Sequence, residues 1–269
     1  NSAEEAYQRI VDIYETLAED ISKDDLADLN KILQATTIDE NATVRLVGDE
    51  LADRGANDYF TLKVLSALST AGVNTEILLS NHSAEFLDTY QETRLQEIPR
   101  DNRLGPEQAR SLYNLNKLIQ RGLVSTDEIE DIVERVYKPN FKAISYSVNQ
   151  EVDPPELTLF THAPAGLETI EQAAKQLRVP YKDDTIEDLI KTIDSINDVF
   201  YAKNIINNNL FQNDKQHPDI DMVEATMGRK SISPEMPFLR LAWNRPNYPM
   251  ATSVESQVPE IPVNIPHQH

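Results

Sequence analysis

The sequence predicts an α/β fold built on a parallel or mixed sheet, and three observations predict it. Short apolar, β-prone runs at residues 44–47, 77–79 and 157–160 end abruptly in metal-ligand residue types. Those residues are Asp49 in "VRLVGDELADRGANDYF", Asn81-His82 in "TEILLSNHSAEF" and His162 in "LTLFTHAPAGL". Amphipathic helical segments alternate with the first two runs in β-turn-α-β order. Sheets of this class present their chemistry at the C-terminal ends of strands, which is where these polar residues fall. The side chains of Asp49, Asn81 and His162 are therefore expected to converge on one point, as a metal site does.

The elements follow in chain order. Ala6, Ile10, Ile13, Leu17 and Ile21 recur at spacings of three and four and predict a helix over residues 3–21. A second helix is expected at 24–33, then a strand at 43–47. Residues 59–68 are helical in pattern, Ala71-Gly72 stops them, and the next strand is 76–79. Residues 84–138 are almost wholly helical, with breaks at 99–106 and 122–125. Ser125 followed by Glu128 fits a capping box. Leu112, Leu115, Leu118 and Ile119 form one stripe, and Ile129, Ile132, Val133 and Val136 another. This stretch far exceeds the ~4–6 residues of a usual connection. It reads as an inserted helical hairpin, residues 84–138, in a core made of 1–83 and 139–269. Strands return at 141–148 and 157–160 around the turn-rich "NQEVDPPE", and helices at 167–177 and 186–207. From residue 208 the chain is expected to be a loop-dominated return to the sheet, with short apolar stretches at 238–243 and 261–265.

Bulk properties narrow the partners. The 269 residues suffice for one large α/β domain, with or without an insertion. With 45 Asp+Glu against 25 Lys+Arg and a formal net charge of −20, the chain repels nucleic-acid backbones and anionic membranes. A local group of metals and arginines still allows an anionic substrate. Cysteine is absent, so neither disulfides nor thiol chemistry contribute. No apolar run approaches the ~20 residues of a membrane span. The opening residues follow a helical pattern rather than that of a signal peptide, and a start at Asn1 points to a piece of a longer chain.

The order Asp49, then Asp53-Arg54-Gly55, then Asn81-His82, then His162 resembles the PPP family of metallophosphatases. That family's second and third motifs are GDxxDRG and GNHE, followed by a strand that ends in a metal-binding His. Here the counterparts are "GDELADRG", "SNHS" and "FTHAP". Further on, "LAWNRPN" resembles the bacterial WxR motif and "VNIPHQH" the late strand that carries the last metal ligand. The resemblance implies a calcineurin-like metallophosphatase sandwich with two divalent metal ions, manganese foremost and iron, zinc or magnesium as alternatives. It implies Asp49, Asn81, His162 and His267 as metal ligands, with Asp49 bridging the two ions. Arg54 and Arg245 would grip the substrate phosphate, since a planar guanidinium matches phosphoryl oxygens in pairs. His82 would protonate the leaving oxygen, oriented by Asp53.

The sequence departs from this family in three respects. No GDxHG run precedes Asp49; Asp12 lies in a faintly similar frame, but Tyr14 stands where the His belongs, and the helical periodicity makes Asp12 an exposed helix residue. Either that motif lies upstream of Asn1 or one metal site is degenerate. Asp49 and Asp53 are one residue further apart than in the family, so the loop must bulge. Ser80 and Ser83 replace the Gly and Glu that flank Asn-His. Taken singly, Asp49 and Asp53 would be turn or helix caps and His82 a buried histidine; their order makes them site residues. Trp243 reads as packing and His217 as a surface loop residue.

The leading reading is a metal-dependent phosphoprotein phosphatase, acting on Ser/Thr or Tyr. The WxR run and the helical insertion resemble effector-type bacterial members, soluble in the cytoplasm or secreted into a host cell. The outer face of 84–138 is then expected to select a protein substrate or host partner. Two alternatives stand beside it: a pseudophosphatase serving as a binding module, and a dinucleoside-polyphosphate hydrolase.

Overall fold

Parallel pairing of β1 (Thr43–Leu46) with β2 (Asn74–Leu78) sets the frame of the candidate site. The register runs from Thr43 opposite Asn74 to Leu46 opposite Ile77, so both strands release their C-terminal loops at one edge. Across the pair, Arg45 Nε meets Glu76 Oε2 at 2.7 Å. β2 is buried along all but its first residue, whereas β1 is only half covered. The computed structural model describes residues 3–98, 105–207, 210–211 and 232–244. Arg245 and His267 lie outside the described residues.

The chain divides into two compact units, one formed mainly by the chain up to Phe141, the other by the chain from Lys142 onward. In the first, α1 (Ala3–Glu15) and α2 (Lys23–Ala35) form a hairpin. It is joined by Arg9, which pairs with Asp25 at 2.6 Å and Asp28 at 2.9 Å. Ser22 and Asp25 build a reciprocal capping box at the start of α2. α1 stops at Glu15 rather than at residue 21, where the chain turns and leaves Leu17 62% exposed while Ala18 and Ile21 are buried. α3 (Asp58–Thr70) links β1 to β2. It is closed by Gly72 at φ 75°, with Val73 N donating to Leu68 O, a left-handed cap that glycine adopts without steric cost.

α4 (Asn81–Thr93), α5 (Arg110–Gln120) and α6 (Thr126–Ile132) follow, all in this first unit. α5 and α6 pack on α3 through the predicted stripes: Leu112, Leu115 and Leu118 are fully buried, as is Val133. Burial of a leucine of this kind contributes about 1.5–3 kcal/mol. Ser125 caps α6 by accepting from Glu128 N. β3 (Phe141–Lys142) extends the sheet to the order β1-β2-β3.

In the second unit, β4 (Ser145–Asn149) and β5 (Glu156–Phe160) pair antiparallel, with Ser145 opposite Phe160. The strand expected over 141–148 is therefore split. The cause is Asn197, whose side chain takes the Ala143 and Ile144 amides and the Ile144 carbonyl, so no ladder forms there. α7 (Leu167–Leu177) and α8 (Ile186–Phe200) pack together, and α8 runs on as a wider π-turn at Tyr201–Ile205. The apolar stretch at 238–243 is a helix, α9 (Pro237–Trp243), with Pro237 in its first turn and Phe238 stacked 4.8 Å from Phe200. A short uniformly apolar run carries no periodicity that separates helix from strand. The α/β class is thus borne out, with a parallel pair flanked by helices. No helix among the described residues is long and apolar enough to cross a membrane.

Candidate functional site

The loop after β1 carries the first cluster and is bent sharply. Gly48, Asp49 and Ala52 have φ of 101°, 61° and 53°. Left-handed backbone costs a non-glycine residue about 1–2 kcal/mol and persists only where surroundings over-determine it. Here they do. Asp49 N donates to Ser80 Oγ at 3.0 Å, and Ala52 N donates to both carboxylate oxygens of Asp58 at 3.1 and 3.0 Å. The Ala52 carbonyl lies 2.5 Å from His82 Nδ1.

β2 ends at Leu78, and Ser80 then caps α4, so Asn81 and His82 are the first two residues of that helix rather than strand-end residues. Ser80 Oγ accepts from Ser83 N at 3.0 Å, and Ser83 Oγ from Ser80 N at 2.8 Å. The two serines that replace Gly and Glu in the motif are thus a capping box. Ser80 also takes the Asp49 amide, so one hydroxyl fixes both the helix start and the Asp49 backbone.

Three of the expected site residues meet. One ligand atom each from Asp49, Asp53 and His82 lie within 4.8 Å of one another, the group among the described residues that can hold a metal ion. His82 Nε2 is 3.5 Å from Asp53 Oδ1, and His82 is only 7% exposed. That Asp53 oxygen is buried and makes no hydrogen bond. The donor set of two carboxylates and an imidazole suits manganese, iron or zinc.

The surrounding field is negative. Burial pushes the Glu50 carboxyl up to about 7, outweighing the bond it accepts from the Tyr137 hydroxyl, and the charges of Asp49 and Asp58 push the same way. Burial likewise pushes Asp58 up to about 7, against the bonds from Ser111 and the Ala52 amide. Asp49, Glu50, Asp53 and Asp58 thus place four carboxyl groups within ten residues, and burial holds two of them back from ionising.

Arg54 is exposed beside this cluster. Asn81 is buried at the head of α4. His162 belongs to the second unit, half-buried just after β5. Its neighbours are anchored, since Ala163 N donates to Leu241 O at 2.9 Å and Thr161 Oγ1 to Ala163 O at 2.7 Å. Asp12 is exposed on α1, as its periodicity predicts. Tyr14, where the family carries His, has its hydroxyl 3.3 Å from the Ala56 amide. Sequence reasoning missed Ser80, Asp58 and Ser111; of these only Ser80, a serine between an apolar run and a helix, carries a local signal.

Residues 43–269 match the family described as WipA-like, phosphatase domain. Among solved structures, the chain is similar to the crystal structure of the phosphatase domain from the Legionella effector WipB. The match has a TM-score of 0.76 and 29% identity, covering 90% of this chain and 84% of that one. No curated protein sequence matches the chain.

Proposed function

We propose that this chain, which belongs to the WipA-like phosphatase domain family, is a metal-dependent phosphoprotein phosphatase that hydrolyses phosphomonoesters of Ser/Thr or Tyr. The observation that carries the reading is the convergence of Asp49, Asp53 and His82 in one partly buried cluster. Asp49 is the first metal ligand in this reading, joined by Asn81, His162 and His267, and two divalent ions, manganese foremost, are the cofactors. Held there, such ions would supply the activated water that the hydrolysis needs.

The chain's own groups do the remainder. Arg54, exposed at the end of the bent loop, grips the phosphoryl oxygens, with Arg245 as its partner from the WxR run. His82 holds a proton on Nε2 and gives it to the leaving oxygen, while the Ala52 carbonyl at 2.5 Å from Nδ1 fixes the ring. Asp53, 3.5 Å from Nε2, keeps that proton aimed. Delivery into a host cell, and substrate selection by the outer face of the helices in 84–138, complete the proposal; the Legionella effector similarity supports the first.

The test is phosphate release from p-nitrophenyl phosphate and from phosphoserine and phosphotyrosine peptides, with manganese and with chelator. Release that depends on manganese is expected. A folded, manganese-loaded protein that releases none would refute the phosphoprotein phosphatase reading and leave the binding-module and dinucleoside-polyphosphate readings.

A further inference from the structure

We propose that α5 is a clamp on the loop from Asp53 to Ala56, with Ser111 and Arg110 as positioning residues for Asp53 and Arg54. The inference rests on the roles given above to those two side chains. The loop belongs to no helix or strand, so its backbone groups need partners from elsewhere. One short face of α5 supplies most of them. Asp53 N donates to Ser111 Oγ at 3.0 Å, and the Asp53 carbonyl accepts from Ser111 N and from Ser111 Oγ, each at 2.9 Å. The Arg110 guanidinium donates to the Arg54 carbonyl and, at 3.3 Å, to that of Gly55. Asn114 Nδ2 donates to the Ala56 carbonyl at 2.7 Å. From α1, the Tyr14 hydroxyl takes the Ala56 amide.

Arg110 and Asn114 stand four apart and so share a helix face, with Ser111 beside them. Each grips the main chain and leaves the side chains of Asp53 and Arg54 unencumbered. A backbone fixed at four successive residues fixes where those side chains start. Geometry of this kind matters, because a displacement of about 1 Å can cost a reaction ~10²-fold. Ser111 also lies against Asp58, whose carboxylate holds the Ala52 amide, so the clamp continues into the left-handed turn that presents His82 with its carbonyl partner. The helical stretch that reads from sequence as an accessory is thereby bonded to the phosphate-gripping loop.

The experiment uses the full chain with manganese and compares Arg110→Ala, Asn114→Ala, Ser111→Ala and Ser111→Thr. Lys117→Ala is the control, an exposed residue of the same helix paired with Glu19 at 3.2 Å. Arg110→Ala and Asn114→Ala should raise KM for p-nitrophenyl phosphate and the inhibition constant of inorganic phosphate by about tenfold or more, since Arg54 loses its aim. Ser111→Ala should lower kcat by up to about 10²-fold, and Ser111→Thr, which keeps the hydroxyl, should restore it. Melting temperatures of the exposed Arg110→Ala and Lys117→Ala variants should match wild type. Wild-type kcat, KM and phosphate inhibition in folded Arg110→Ala and Asn114→Ala would overturn the proposal, even if Ser111→Ala does not fold. Amide exchange at Asp53 and Arg54 decides the matter without any turnover. It should quicken at Asp53 in Ser111→Ala, and unchanged exchange would overturn the clamp. A wild-type chain silent towards p-nitrophenyl phosphate would instead refute the phosphatase reading and leave the exchange result to stand alone.

Discussion

Replacing His82 by Asn keeps one of its two contacts and removes the other. The asparagine amide nitrogen can occupy the place of Nδ1, 2.5 Å from the Ala52 carbonyl, so the turn keeps its partner. Nothing then reaches the place of Nε2, 3.5 Å from Asp53, and the proton for the leaving oxygen is gone. Losing a positioned acid costs ~10²–10⁴ in rate, or about 2.7–5.5 kcal/mol of barrier at ~1.36 kcal/mol per tenfold. His82→Ala should lose a similar rate but also stability, since a buried carbonyl left without a donor costs about 1–3 kcal/mol. The assay is kcat with two leaving groups at constant manganese. A nitrophenolate leaves with little help, so the Asn variant should retain much of its rate on p-nitrophenyl phosphate. On a phosphoserine peptide, whose alkoxide needs the proton, the full loss should appear. Equal losses on both substrates, or no loss on the peptide, would refute the assignment of His82 as the acid.

Other outcomes follow from the same geometry. Asp58 is fully buried with a folded pKa of about 7 against 3.8 for the free side chain. Between these values the unfolded chain has released a proton that the folded chain retains, so its contribution to stability is intact below about pH 4 and lost as pH rises towards 7. In chelator, Asp58→Asn should flatten that part of the pH profile by up to about 4 kcal/mol; a slope equal to wild type in denaturant titrations would contradict it. Ser80→Ala removes the cap of α4 and the partner of the Asp49 amide. About 1 kcal/mol for the cap and about 1 kcal/mol or more for the stranded amide should appear as lower stability, whereas an unchanged melting temperature would show the cap to be idle.

Local signals carried much of the fold and part of the site. The alternation of β-prone runs with periodic helices gave β1, α3 and β2, and the apolar stripes of α5 and α6 are the faces they bury. Asp49, Asp53 and His82 were legible because they fall, in motif order, in the segments that follow β1 and β2. Their closeness was not: sequence separates Asp49 as a ligand from Asp53 and His82 as a proton pair, while the structure holds all three within 4.8 Å. What stayed hidden acts at long range. Ser111 is 58 residues from the backbone it grips, Asn114 the same from its own, and Tyr14 is 42 from Ala56. No periodicity or spacing records such contacts. Burial of Glu50 and Asp58 was equally invisible, because an acid next to a motif reads as solvated until the packing around it is known. The break between β3 and β4 belongs with these, being made by Asn197 from a helix fifty-odd residues on.

The central claim is that Asp49 binds a catalytic metal beside a His82–Asp53 proton pair. Crystals soaked in manganese and measured at the manganese absorption edge test it directly. An anomalous peak about 2.0–2.6 Å from the Asp49 carboxylate is the expected result. Manganese-dependent phosphate release from a chain whose bound ion lies away from Asp49, or whose Asp49→Ala variant binds and hydrolyses as wild type, would contradict the account.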